Sequence, residues 1–470
     1  MPQNNLKMNR LYSGSILIYA VVIIFIFSIV MVSLLGYAAS ELRVIRASVN
    51  KEQAFQIAEA GVNYYQWHLA HYAADYADGT GQTCNPCGPY VHNYVDKDTN
   101  TLIGRYSLTI TPPLVGSTVV LIKSIGYTLQ NANQQKTISV KYGIPSLAQY
   151  AFLTNSDAWI GNTENVSGQF HTNGGLRFDG TGNAPINSAK STYTCISTFG
   201  CSPSATKPGI WGSASQATKN FWNYPVPNVD FSSMTSDLAT MKASAQSSGL
   251  YLAPSNKQGY SLVFKNNGTV DIYKVTSLAN DPTGWDVGGT AHSTSIDYSA
   301  RSFQSNSAIP ANGLIFIEDK VWVEGIVKGR VMVAAAKLPY NVNTAPSIFI
   351  SDDITYLAKD GTNSLGLIGQ QDVLVTYQAP TDLEINAAII AQNGSAQRYN
   401  YPGNIKNSIT LYGTLASYGT WTWSWVDGGG NTTSGYANTY TTYDSNLLYS
   451  PPPSFPLSSS GYQQINWTSN

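Results

Sequence analysis

The chain has 470 residues, a formal net charge of −1 and only 11% charged residues. That balance leaves no basic excess for a nucleic-acid backbone, and the length leaves room for more than one domain. Its 40 glycines and 31 tyrosines, among abundant Ser, Thr and Asn, predict β-rich structure with many turns.

The first predicted element is the apolar run Gly14–Ala39, which carries no charge for about 25 residues and is long enough to cross a bilayer core of ~30 Å as a helix. Lys7 and Arg10 precede it without an acid, which orients the N-terminus to the cytoplasm and the remainder outward. The run exceeds the ~7–15 apolar residues of a cleaved secretory signal, although Gly36-Tyr37-Ala38 offers a weak cleavage site; a plain signal anchor fits the hydropathy equally well. Beyond the membrane, Leu42, Ile45, Val49, Phe55, Ala58, Val62, Tyr65, Leu69 and Tyr72 recur mostly at three- and four-residue steps, so the helix is predicted to continue to about Ala77. Gly79-Thr80-Gly81 ends it.

The short basic leader ending in Gly14, followed by an apolar helix, resembles the class III signal of type IV pilins. The segment Gln53–Val62, centred on Ala58-Glu59-Ala60-Gly61, resembles PilX-type N-terminal domains. This resemblance implies cleavage between Gly14 and Ser15 by a prepilin peptidase, and packing of the helix against other pilin-like subunits. Tyr19 stands where major pilins carry a glutamate, which implies a minor pilin or pseudopilin rather than a bulk subunit. Glu59 reads as a solvated or interhelical charge, and Gly61 as a small residue for close helix packing.

The four cysteines form two close pairs, Cys84/Cys87 and Cys195/Cys201. Outside the cytosol such spacing favours two local disulfides over one shared zinc site, because C-x5-C is a poor zinc knuckle and no histidine stands beside it at ligand spacing. His68 and His71 share a helix face but have no third ligand in sight. Asp96-Lys-Asp98-Thr-Asn100 looks faintly like a calcium loop, yet lacks its glycine and its terminal acid. No metal or other cofactor is expected.

Residues 80–100 read as a loop. Arg105–Thr111, Val119–Leu129 and Lys136–Tyr142 alternate as strands of an antiparallel sheet on the exported half of the helix. From Gln149 the strand-like runs are short, each followed closely by Asn, Asp or Gly, and residues 180–230 read as a long excursion. Asp230–Gln246 is predicted helical, capped by Asp230 or Ser232, with the stripe Phe231, Met234, Leu238 and Met241. A hairpin turned by Asn266-Asn-Gly268 follows. From Gly313, short apolar strands succeed one another without a helical pattern, which suits a sandwich or a parallel β-solenoid; the solenoid is preferred because Val-Trp-Val-Glu-Gly-Ile-Val-Lys-Gly-Arg-Val-Met-Val reads as consecutive rungs. Together with Phe170-His-Thr-Asn-Gly-Gly-Leu, Ala387–Ala391 and Tyr449–Pro456, this series resembles an uncharacterised domain of PilX-like envelope proteins. Trp421, Trp423 and Trp425 are expected to seal the open end of that solenoid or to bind a sugar or partner surface.

The sequence thus predicts an α+β, mainly β chain: a leader (1–14), a transmembrane and spine helix (15–79), a small antiparallel sheet (80–145), a β-rich region with long loops, a helix and a hairpin (146–310), and a parallel β-helix-like body with an aromatic, Pro-rich tail (311–470). The reading is a single-pass membrane protein with its body outside the cytoplasm, a structural subunit whose partners are lipid, sister pilin helices, the prepilin peptidase, and a surface glycan or protein. One alternative is a permanently anchored surface adhesin. Another is a membrane-tethered carbohydrate-active enzyme using Glu318, Asp319, Glu324, Asp352 or Asp353 with Lys320, Lys328 and Arg330. No nucleophile motif, P-loop or dinucleotide fingerprint accompanies these residues, so no activity is expected.

Overall fold

Without proline or charge in its first turns, the N-terminal segment forms one continuous helix, α1 (Ser13–His71), whose 59 residues span roughly 88 Å at 1.5 Å per residue. The computed structural model describes residues 13–231, 237–427, 430–458 and 461–469. Lys7 and Arg10 of the leader, and Ser232 and Met234 of the second predicted helix, lie outside the described residues. From Ile16 to Arg46 every side chain of α1 is exposed, while Ala54, Ile57, Ala58, Val62, Tyr65 and Leu69 form a buried stripe. Leu42, Ile45, Val49 and Tyr72, expected in the same stripe, are about half exposed or more.

The helix stops at His71, short of the predicted Ala77. Asp75 takes over the local hydrogen bonding: its carboxylate accepts from the Ala77 and Gly79 amides at 2.9 and 2.8 Å and pairs with His68 Nε2 at 3.0 Å. A short polar side chain that offers the backbone such partners competes with helix continuation.

The chain divides into two compact units. The first holds residues to Pro112, residues 121–141 and the C-terminal segment from Gln464. Its sheet contains β1 (Cys87–Val95), β2 (Leu102–Thr111), β3 (Val120–Thr128) and β4 (Lys136–Gly143), in that order, with the final strand Gln463–Ser469 beside β4. β1–β2 and β2–β3 are antiparallel. Two features depart from the sequence reading. The predicted loop 80–100 contains β1, which the Cys-Gly-Pro start disguised; an edge strand tolerates Pro89 because one side needs no ladder bonds. The last strand belongs to this sheet, so the boundary drawn at 311–470 does not follow the fold. Along β2 and β3 buried and accessible residues alternate, as in a sheet with one face on a helix.

The second unit, residues 113–120 and 142–463, is built from parallel ladders. In the first, Ile315 stands beside Val333, then Leu367, Ile389, Leu415, Phe152, Phe170 and Ile186, all buried in one core. In the second, Val321 stands beside Ile348, Val373 and Ala396. In the third, Ile354 stands beside Ile385, Leu411, Thr441 and Val166. The strands of residues 152–188 therefore continue the stack beyond Ser417 rather than forming a separate region. The segment 180–230, expected as an excursion, returns Ile186–Ser188, Ile210–Trp211 and Trp222–Asn223 to parallel pairs.

The first ladder is buried on both faces. Its outward residues Phe316, Ala334, Ile368, Ile390 and Ala416 are covered by α2 (Asp237–Ser248) through Leu238, Met241 and Ala245, and by Leu447 and Phe455 of the tail. Burial on both sides explains why these strands read as unbroken apolar runs. Asp230 and Phe231 are not helical, residues 232–236 lie outside the described residues, and α2 ends where the Gly249 amide donates to Ala245 O. The hairpin Gly259–Phe264/Thr269–Val275 forms as expected and gains a third antiparallel strand, Arg301–Ala308. Trp421 and Trp423 do not lie at an exposed end: both are buried, with Trp421 4.6 Å from Phe152 where the C-terminal strands meet the early ones. Trp425 is half-buried and donates to Arg398 O at 2.8 Å.

Candidate functional site

The residues expected to serve assembly all lie on α1. Gly14 and Ser15 are in its first turns, and Tyr19 is 68% exposed on its bare part. Glu59 is half-buried. Gly61 faces the chain's own sheet, where a Cβ would collide with Ser124 Oγ and lie 2.8 Å from Tyr106 Cδ2. Opposite it, a Cβ on Gly126 would strike Ala54 O and Ala58 N. The small residues of this segment thus let helix and sheet backbones approach each other within one subunit. Nothing in the local sequence showed that Gly126 of β3 would meet them.

A second cluster fastens the end of α1 to the sheet. Asp78 receives a hydrogen bond from Tyr64 at 3.1 Å and pairs with His92 Nε2 at 2.7 Å, while Tyr65 donates to Asp75 O. Burial, with Asp78 alongside, pushes the Tyr64 hydroxyl up to about 12. Burial opposes the charge on Asp75, yet the Ala77 and Gly79 amides and His68 together hold its carboxyl below the ordinary value. His68 is therefore engaged in structure, and the exposed His71 bonds Trp67 O. The structure joins Cys84 to Cys87 and Cys195 to Cys201. Among the described residues no group of three His, Cys, Asp or Glu could hold a metal ion. Asp96 instead accepts from the Asp98 and Thr99 amides within its own turn.

The acids weighed for catalysis are each engaged by partners of their own, and strand pairing sets Glu324 beside Ser351–Asp353. Glu318 is held by Lys242 and Tyr251. Asp319 accepts from the Ser255 amide and hydroxyl at 2.8 and 2.6 Å. Glu324 is bound by Arg301 at 3.2 Å and Tyr298 at 2.7 Å. Asp352 accepts from the Asp353 amide, and Asp353 from the Glu384 amide, both at 2.8 Å. Arg330 is spent on the carbonyls of Gly116, Gly361, Ser450 and Pro451.

The second unit does contain a polar cleft of about 1050 Å³, and its walls are built from turns. Gln392 and Asn393 follow the strand ending at Ala391, Tyr418 follows Ser417, Asn155 follows Thr154, and Asn173 follows Thr172. Lys190 stands just past Ser188. The parallel pairing extends into these turns, since the amides of Tyr418, Asn155, Asn173 and Ala189 donate to Ala391 O, Ser417 O, Thr154 O and Thr172 O. Asn173 is the scaffold: its amide binds Asn155 Oδ1 and both the carbonyl and the N–H of Val229, at 2.8 to 2.9 Å. The repeated Asn, Asp or Gly after each short strand was the visible sign of this wall. Which strands were neighbours was not visible.

Residues 13–63 match the family model described as PilX N-terminal. Among solved structures, the competence-associated pilin ComZ from Thermus thermophilus is similar at 12% identity and a TM-score of 0.28, over 90% of this chain and 97% of that one. No curated protein matches the chain. Residues 13–63 cover the bare part of α1 and the first part of its docked stripe, and over that segment the chain is similar to PilX-type N-terminal domains.

Proposed function

We infer that this chain is a minor structural subunit of a type IV pilus-like or type II secretion-like filament, in which α1 anchors and assembles the protein and the β-rich body is displayed. The observation that carries this reading is the division of α1 within a PilX-type segment. From Ala54 onward one stripe, Ala54, Ile57, Ala58, Val62, Tyr65 and Leu69, is buried by the subunit's own sheet, whereas the large apolar side chains from Ile16 to Val49 are left exposed. A charge-free helix of this kind is stable in lipid and equally stable among sister helices, so it supports both storage in the membrane and transfer into a filament. Tyr19, in place of an assembly glutamate, favours a terminal or minor position. The parallel ladders of the body support a solenoid whose successive turns stack side by side.

The test is mass spectrometry of the mature protein from its native envelope, with and without prepilin peptidase. A chain beginning at Ser15 supports the proposal. A chain retaining its leader makes it a simple anchored surface protein instead.

A further inference from the structure

We propose that the polar cleft of the second unit binds an extended, neutral oligosaccharide laid along the stacked turns of the first ladder. Neighbouring strands stand ~4.8 Å apart, so five successive turns from Gln392 to Lys190 form a row roughly 20 Å long. A row with one polar turn per strand presents donors and acceptors at a regular step, which matches a chain polymer of repeating hydroxyls better than a compact ligand. The wall is rich in primary amides and hydroxyls, groups that donate and accept toward vicinal hydroxyls; of these Asn173 is committed to Asn155 and Val229 and shapes the wall rather than meeting a ligand. Its charges, Lys190, Asp157 and Asp230, are of mixed sign, which disfavours a polyanion.

Two further observations point the same way. Tyr340 and Tyr418 line the cleft and are 45% and 46% exposed, the Tyr340 hydroxyl donating to Gln371 Oε1 at 3.3 Å. An amphipathic ring of this sort stacks on the C–H face of a sugar while its hydroxyl stays wet. Gln392, only 3% exposed, lines the cleft with neither end of its amide partnered inside the protein. Buried polar groups normally have partners; both amide ends of Gln392 are closed to solvent, so a bound hydroxyl reaches them only once the side chain turns toward the cleft. A docking site for a protein segment would instead offer a deep apolar anchor pocket, whereas Phe231, the large apolar ring among the described residues of this cleft, is 9% exposed and packs edge-on against Tyr418. This inference concerns only the body and stands whether or not the chain enters a filament.

The test uses the full-length chain in nanodiscs, titrated calorimetrically with β-1,4-glucose, α-1,4-glucose, β-1,4-mannose and β-1,4-N-acetylglucosamine tetramers, and with tetragalacturonate as the anionic comparison. At least one neutral tetramer should bind saturably with a Kd below about 1 mM. Tyr418→Ala or Tyr340→Ala should weaken it about tenfold or more, Tyr418→Phe should retain it, and Tyr440→Ala, at an exposed tyrosine on the third ladder, should leave it unchanged. Thermal unfolding of each variant verifies that it is folded. The proposal is overturned if no neutral tetramer binds at about 10 mM, if tetragalacturonate alone binds, or if binding ignores both tyrosines. It is equally overturned if the cleft variants instead abolish self-association of the chain, since the cleft would then be a protein interface.

Discussion

The two units bury their sheets in different ways. In the first, β2 and β3 hide one face: Leu108, Ile110 and Ile122 are buried while Arg105 and Lys123 are exposed. In the second, the strands at 314–317, 330–335 and 364–369 are buried almost throughout, because the core fills one side and α2 with the tail covers the other. The difference teaches how to read an apolar run. Alternation marks a sheet with one wet face, and its loss marks parallel strands packed on both sides.

The largest expected effect probes that contrast directly. Leu367→Ala faces the core and Ile390→Ala faces α2 and the tail, and each should cost about 2–5 kcal/mol, seen as loss of hydrogen-exchange protection in their strands. If Ile390→Ala were near neutral, the second face would not be a packed one. In the first unit the docking of α1 depends on backbone approach rather than on side-chain volume. Gly61→Ala or Gly126→Ala should therefore destabilise by about 1–3 kcal/mol through overpacking, measured as a lower urea midpoint for the β2–β3 peptides.

Asp75→Ala removes the acceptor that ends α1 and should cost about 1–3 kcal/mol at neutral pH. Because the folded carboxyl is held below its ordinary value, that contribution is complete above pH about 4 and is lost as pH falls through the lowered value. The variant and the parent should thus converge in acid, and a constant difference between them would mean that Asp75 acts without its charge. The smallest effect is Lys123→Ala on the wet face of β3, which should lie within about 0.5 kcal/mol of the parent.

Much of this organisation was legible in the sequence. The charge-free run from Gly14 needed no partner to be recognised, Ala58, Val62, Tyr65 and Leu69 of the buried stripe recur at helical steps whereas Ala54 and Ile57 were missed, and the hairpin at Asn266-Asn-Gly268 and the apolar strands after Gly313 carry local signals of their own. Less could be read where an element depends on a distant neighbour. β1 is hidden because an edge strand need not alternate strongly, and the Trp421–Trp423 pair was misplaced because its burial depends on Phe152. The wall of the cleft was half-legible: the polar residue after each strand was visible, the alignment of those turns was not.

The sequence by itself therefore determined the elements whose signal is local: a helix long and apolar enough for a bilayer, the preference of its second half for one covered face, and the strand-and-turn character of the body. Only the tertiary structure decided that strands at 152–188 stack on those ending at Ser417, that the last strand returns to the first sheet, and that polar turns from distant parts of the chain form one row. The physical reason is that a parallel pair has no turn of its own to announce it. Its register is fixed by which apolar side chains share a core, and that is a property of the folded chain rather than of any stretch within it.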